Sequence, residues 1–96
     1  MKISDKVILL WLAFDGLMSR EQLNREHIQI LFEYQEEIAS YFETHLPDQH
    51  KIYGNAVVSE LRDITDAIFK SPDHPKKNDL MVCLGKMVMV AGFIRQ

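Results

Sequence analysis

The chain has 96 residues, of which 47% are hydrophobic and 26% charged, a composition that excludes intrinsic disorder and favours a single helical domain over residues 1–96. Eleven basic and fourteen acidic residues give a formal net charge of −3. The chain therefore has no overall positive field to hold phosphate backbones, and nucleic-acid binding is disfavoured. The single cysteine, Cys83, lies in an apolar segment, which predicts a buried thiol in a reducing compartment.

The N-terminus has only some features of a secretory signal. Lys2 and Lys6 precede the apolar run 7–14, but Asp5 lies between the two lysines. Asp15 follows the run, where a small-residue cleavage pattern would be needed. We therefore expect a cytoplasmic protein.

The first predicted helix runs from Ser4, a favourable N-cap, to about Phe14, where Asp15 and Gly16 are expected to stop it. Apolar residues surround its axis instead of forming one stripe: Ile8, Leu9, Leu10, Trp11, Leu12, Ala13 and Phe14. Such a helix needs cover on several sides. A buried strand is the competing interpretation for so short a run.

The second predicted helix is the longest, from Arg20 to about Phe42. Ser19 and Gln22 have the S-x-x-Q spacing of a capping box, in which each side chain bonds a free backbone amide of the first turn. His27 is expected to be partly buried and hydrogen-bonded on the apolar face. That face recurs at three- and four-residue intervals: Leu23, His27, Leu31, Tyr34, Ile38, Tyr41 and Phe42.

The third predicted helix follows Pro47, which ends the second, and Asp48, which is expected to cap the new one. Gly54 weakens its start by about 1 kcal/mol relative to alanine, which predicts a kink or a boundary there. This helix has the clearest amphipathic pattern in the chain, with one apolar face formed by Tyr53, Val57, Leu61, Ile64 and Ile68.

The segment 70–78 contains two prolines and is predicted to be a loop. Asn78 or Asp79 then caps the last helix. The segment 80–94 carries one charged side chain, that of Lys86. It is too short to span a bilayer, which takes about 20 residues, so it must be hidden in a core or against a partner chain.

Together these elements predict an all-α fold: a compact bundle of about four helices, with one long second helix and a strongly apolar C-terminal helix. The first and last helices are apolar nearly all round, whereas a four-helix monomer covers only part of each helix. We therefore expect homodimerisation through one of them. Glycines seven residues apart on the last helix allow close backbone approach, so the predicted oligomer interface is Gly85, Met87, Met89, Gly92 and Phe93.

The sequence contains no catalytic or cofactor motif. Its histidines form no Glu-x-x-His or H-E-x-x-H pair, and its four glycines form no phosphate-binding loop. Enzymatic activity, a cofactor and a metal site are therefore not expected. His45 and His50 flank Pro47, and solvated histidines are favoured over a metal site there.

Glutamates with tyrosines beside them provide the main functional hypothesis. An acidic helix face with aromatic anchors suits a basic protein partner. The chain is therefore expected to be a non-enzymatic, oligomeric adaptor or inhibitor of the immunity, antitoxin or phage-inhibitor type. The predicted partner-binding residues are Glu33, Tyr34, Glu36, Glu37 and Tyr41.

Two alternatives remain open from the sequence. His74, Lys76 and Lys77 precede the amino end of the last helix, where free amides attract anions, so an oligomer could sequester a phosphorylated or nucleotide ligand there. The segment 7–23 also has the pattern of the opening of a winged helix, with Ser19 as a cap. The glutamate-rich helix expected after it makes a helix-turn-helix DNA-binding regulator the lesser alternative.

Overall fold

The computed structural model describes residues 2–20, 22–71 and 77–94, without the side chain of Lys77. Within these ranges it contains four helices and no strand: α1 (Ile3–Ser19), α2 (Arg25–His45), α3 (Asp48–Lys70) and α4 (Lys77–Ala91). The predicted all-α bundle is therefore confirmed. Among the described residues, no helix combines the length and the apolar character needed to cross a membrane.

The helices pack in the order α1, α4, α3, α2: α1 lies against α4, α4 against α3, and α3 against α2. The bundle measures 37 × 23 × 19 Å along its principal axes. Every helix contributes fully buried side chains to one core, among them Val7, Ile28, Leu31, Leu61, Ile68, Leu80, Leu84 and Met87. Because α1 and α2 are the two ends of this packing order, they border an opening in the bundle.

The first helix is longer than predicted, because α1 continues past Gly16 to Ser19. Leu17 and Met18 in the added turn pack against the core. The partial burial of two large apolar side chains is worth more than the roughly 1 kcal/mol that a helical glycine costs.

The second helix begins later than predicted, at Arg25, and the predicted capping box of Ser19 and Gln22 is wrong. Asn24 is the N-cap instead: its side-chain oxygen accepts a hydrogen bond from the His27 amide at 3.1 Å. The Nδ1 atom of His27 in turn accepts from the Asn24 amide at 3.2 Å. His27 is half-buried and hydrogen-bonded, as predicted, although through a cap that the sequence pattern does not reveal.

The third helix is continuous and has 23 residues against 21 in α2, so the prediction that the second helix is the longest is wrong. Pro47 occupies the N-cap position and Asp48 is the first helical residue. Gly54 lies inside the helix and is not a boundary. It is buried, and a Cβ atom there would lie 2.6 Å from Leu46 Cδ1, so the glycine makes room for Leu46. The predicted apolar face is buried at Val57, Leu61, Ile64 and Ile68, whereas Tyr53 is 41% exposed.

The last helix begins at Lys77, before both predicted caps, Asn78 and Asp79, and ends at Ala91. Residues 92–94 form a turn, so Gly92 and Phe93 lie outside the helix. The predicted loop 70–78 is shorter than expected, since residue 70 ends α3 and residues 77 and 78 belong to α4. Residues 72–76 of that loop lie outside the described residues.

Candidate partner-binding site

An apolar groove of about 520 Å³ lies between α1 and α2. Its floor includes the buried side chains of Phe14 and Ile38, and its walls carry the exposed side chains of Leu9, Ile30 and Tyr34. The full lining is Lys6, Leu9, Leu10, Ala13, Phe14, Leu17, His27, Ile30, Tyr34, Glu37 and Ile38. Most of this lining is apolar, with Lys6, His27 and Glu37 as the exceptions, so the groove is suited to apolar side chains from another molecule.

Helical periodicity explains why these residues share one groove. On α1 the lining positions recur at three- and four-residue intervals from Lys6 to Leu17, and on α2 they recur in the same way from His27 to Glu37. The two helices run antiparallel, because Lys6 near the start of α1 pairs with Glu37 in the second half of α2. The groove therefore extends from the Lys6–Glu37 pair at one end to Leu17 and His27 at the other.

Only part of the predicted acidic surface is available to a partner. Glu37 forms an ion pair with Lys6, at 3.1 Å between Oε1 and Nζ. Glu36 accepts two hydrogen bonds from the Arg62 guanidinium, at 2.8 and 2.9 Å. The same guanidinium lowers the pKa of Glu36, chiefly through these hydrogen bonds. Glu33 is exposed and forms no ion pair with another described residue.

The two predicted aromatic anchors occupy different surroundings. Tyr34 lines the groove and is 47% exposed, so it is open to contact. Tyr41 is half-buried and stacks on His45, with ring centroids 4.0 Å apart. His50 stacks in the same way on Phe93, at 4.0 Å. Among the described residues, no cluster of three or more histidine, cysteine or acidic side chains could hold a metal ion.

The residues of the predicted oligomer interface differ in how far they reach the surface. Met87 is fully buried in the core of the single chain, so it offers no surface to a second copy. A Cβ atom at Gly85 would meet nothing within 4 Å, so no close backbone approach occurs there within the chain. Gly92 is exposed in the turn after α4, whereas Met89 and Phe93 are accessible at the surface.

Most of the predicted anion site lies outside the described residues. This holds for His74, Lys76 and the side chain of Lys77, although Lys77 itself is the first residue of α4. The helix-turn-helix alternative needs Ser19 as a helix cap, but Ser19 is the last residue of α1. Neither alternative gains support from the described geometry.

Sequence reasoning misses the groove itself, and Ile30 is the clearest omission. Ile30 lies off the apolar face predicted for the second helix and is 48% exposed. A large apolar residue outside the predicted face is the signal that could have revealed it. Fold and site together define a four-helix bundle with an apolar groove between its first two helices. Comparison with protein-family models, curated proteins and solved structures finds no match to this chain.

Proposed function

We propose that this chain is a non-enzymatic binding protein that acts by protein–protein contact, as a small adaptor or inhibitor, and that its α1–α2 groove receives an amphipathic helix with basic flanking residues. The observation that carries the proposal is the exposed apolar lining of the groove. Leu9 is 52% exposed, and Ile30 and Tyr34 are each exposed to almost half. Exposed apolar surface grouped in this way typically marks an interaction site.

The shape of the groove favours a helix as the occupant. Two antiparallel helices form its walls, and a third helix can lay its apolar stripe between them, with anchors at i, i+3 or i+4, and i+7. Tyr34 supplies a large apolar ring with a hydroxyl group, a type of side chain that often dominates the free energy of binding.

The charge along the α2 side of the groove favours basic residues in that helix. Glu26, Ile30, Glu33 and Glu37 recur at four-, three- and four-residue intervals, so the three glutamates line the outer edge of α2 together with Ile30. Lys6 balances Glu37. Glu26 and Glu33 are exposed and form no ion pair with another described residue. Lysine or arginine on the incoming helix would complement this edge and speed association.

Two synthetic peptides of about five helical turns test this proposal. Both carry the same leucine stripe, but one has lysines and the other glutamates at the flanking positions. In fluorescence anisotropy we expect the lysine peptide to bind with a Kd of about 10 to 100 µM. The glutamate peptide should bind at least about ten times more weakly, since it repels the edge of α2.

Ile30→Gln is the discriminating variant, because Ile30 is half exposed, its replacement leaves the core intact and the new side chain adds no charge to the acidic edge. It should weaken binding of the lysine peptide at least about tenfold. Ile52→Gln is the matched control, since Ile52 is 85% exposed on α3 and does not line the groove. Equal binding of the lysine peptide by wild type and Ile30→Gln would overturn the proposed site. Equal binding of both peptides would overturn the basic character of the partner.

A further inference from the structure

We infer that α1 also joins two copies of this chain: its outward face packs antiparallel on α1 of a second copy, with Leu9 of each copy opposite Leu12 of the other. This inference goes beyond the proposed function, because it names a second copy of the chain as a further occupant of α1; the two surfaces share Leu9, which also lines the groove. It also replaces the α4 interface expected from the sequence.

The outward face of α1 has the spacing of a coiled-coil seam. Ile3, Val7 and Phe14 are its buried residues and define the side that faces the core. On the opposite side, positions 5, 9, 12 and 16 follow one another at four-, three- and four-residue intervals, the alternation found along helix seams. Leu9 and Leu12 occupy the middle of this seam, and each is 52% exposed. Two exposed leucines at the centre of a seam are suited to interlock with an identical pair.

One neighbouring side chain extends this apolar surface. Ile8 flanks the seam and is 37% exposed. Taking a large side chain as about 200 Å², the three residues 8, 9 and 12 leave on the order of 280 Å² of apolar surface open. A standard interface buries about 800 Å² per partner, of which a little over half, or about 450 Å², is apolar. The surface therefore suits a small interface and a reversible dimer.

The charges at the two ends of α1 identify the occupant as a second copy in antiparallel orientation. An antiparallel pair centred between Leu9 and Leu12 places Asp5 opposite position 16 of the other copy. Gly16 has no side chain, but the Arg20 guanidinium covers it, with Nη2 3.6 Å from the Cβ position of Gly16. Each Asp5 carboxylate would thus meet an Arg20 guanidinium of the second copy, and the symmetry gives two such pairs.

The contacts of Asp5 and Arg20 within one copy allow them to form this ion pair between copies. Arg20 donates through Nε to Gln22, at 3.0 Å, so its two terminal nitrogens point elsewhere. Asp5 is exposed and forms no ion pair with another described residue. A parallel pair would instead place the two Asp5 carboxylates opposite each other, which is unfavourable. The antiparallel pair also aligns the helix dipoles favourably.

Sedimentation velocity over a range of about 5 to 500 µM tests the dimer. We expect the wild type to shift from monomer to dimer within this range. Asp5→Arg and Arg20→Asp should each weaken the dimer at least about tenfold, and the double variant Asp5→Arg/Arg20→Asp should restore it. Asp63→Arg on α3 is the matched control, since Asp63 is exposed and lies off the seam. Thermal unfolding followed by circular dichroism checks that each variant remains folded.

Disulfide trapping tests the orientation. In a mixture of Asp5→Cys and Gly16→Cys chains, oxidation should join position 5 of one copy to position 16 of the other. Asp5→Cys alone should not cross-link, because two residues 5 lie about 16 Å apart along an antiparallel pair, beyond the reach of a disulfide. The native Cys83 does not compete, since it is fully buried.

Three results would overturn the inference: a wild type that stays monomeric at the highest concentration, a double charge exchange that fails to restore the dimer, or efficient cross-linking of Asp5→Cys alone. Asp5→Arg changes no residue that lines the groove. At protein concentrations low enough for the wild type to be monomeric, it should therefore leave binding of the lysine peptide within about twofold of wild type, so that the groove and the dimer can each fail separately.

Discussion

The side chains of Gln35 and Thr65 meet inside the core, where Thr65 Oγ1 lies 3.1 Å from Gln35 Oε1 and donates a hydrogen bond to it. Among the described residues, these two are the polar residues that are almost completely buried. The Thr65 hydroxyl also lies 2.9 Å from the Leu61 carbonyl oxygen, so it has a second acceptor on its own helix. This hydrogen bond joins α2 to α3, but its loss should affect Gln35 more than Thr65, which has the second acceptor.

Thr65→Val should be more destabilising than Gln35→Leu. The first substitution leaves the buried Gln35 oxygen without its donor, at a cost of about 1 to 3 kcal/mol, whereas the second leaves Thr65 bonded to Leu61 and should cost below about 1 kcal/mol. The double variant should be less destabilised than Thr65→Val alone. Urea unfolding followed by circular dichroism measures all three, and a larger loss for Gln35→Leu would contradict the assignment.

The ion pair of Glu36 and Arg62 should make a small contribution to stability that depends on pH. The folded pKa of Glu36 lies below its ordinary value of 4.5, so the contribution is complete above that pH and is lost as the pH falls through the folded pKa. Both side chains are about half exposed, so we expect only about 0.5 kcal/mol between wild type and Glu36→Gln at neutral pH. That difference should disappear in strong acid and shrink in high salt.

Urea unfolding at several pH values measures this difference. Glu43→Gln is the matched control on the same helix, since Glu43 is exposed and pairs with no described cation. A difference between wild type and Glu36→Gln that grew as the pH fell would contradict the predicted sign.

Cys83 should be unreactive in the folded protein. Burial, with a smaller effect of the nearby Glu60 carboxylate, raises the pKa of its thiol to about 12, and its Sγ donates to the Val57 carbonyl oxygen at 3.5 Å. At about pH 8 a disulfide reagent should modify it at least about 1,000-fold more slowly than an exposed thiol, because the thiolate is the nucleophile. Val82→Cys supplies the exposed comparison on the same helix. Rapid native labelling of Cys83 would show that this part of the core opens.

Gly85→Ala should stabilise the chain by about 0.5 to 1 kcal/mol, because alanine is the better helix former and the added Cβ atom meets nothing within 4 Å. Gly54→Ala should gain less or lose stability, since its Cβ atom would displace the buried Leu46 side chain. Thermal unfolding compares the two. Gly85→Ala should also leave self-association unchanged. A weaker dimer would indicate that the interface lies on α4 and not on α1.

Local sequence patterns locate the helices but not all of their ends. The apolar spacing of α3 predicts four buried residues of its face correctly, because burial of one side of a helix depends on a periodicity that the chain itself carries; the fifth, Tyr53, is 41% exposed. The capping box predicted at Ser19 and Gln22 is wrong, because local sequence does not decide between competing caps. Competing caps differ by about 1 kcal/mol, so the packing of Leu17 and Met18 decides where α1 ends.

The candidate site depends even more on tertiary structure. The sequence identifies Glu33, Tyr34, Glu36 and Glu37 as one surface, but Arg62 and Lys6 reach two of these glutamates from other helices. The groove requires α1 to lie beside α2, and nothing in either helix alone indicates that neighbour. Leu9 and Ile30 therefore become partners only through the order in which the helices pack.

By itself, the sequence determined that the protein is an all-α bundle with surplus apolar surface on its first helix, because composition and helical periodicity are properties of the chain. Only the tertiary structure decided which apolar side chains stay exposed. Met87 enters the core, whereas Leu9 and Leu12 remain half exposed, although all three lie in strongly apolar helices. The physical reason is that a helix in a small bundle can bury one side, and its neighbours determine which side that is.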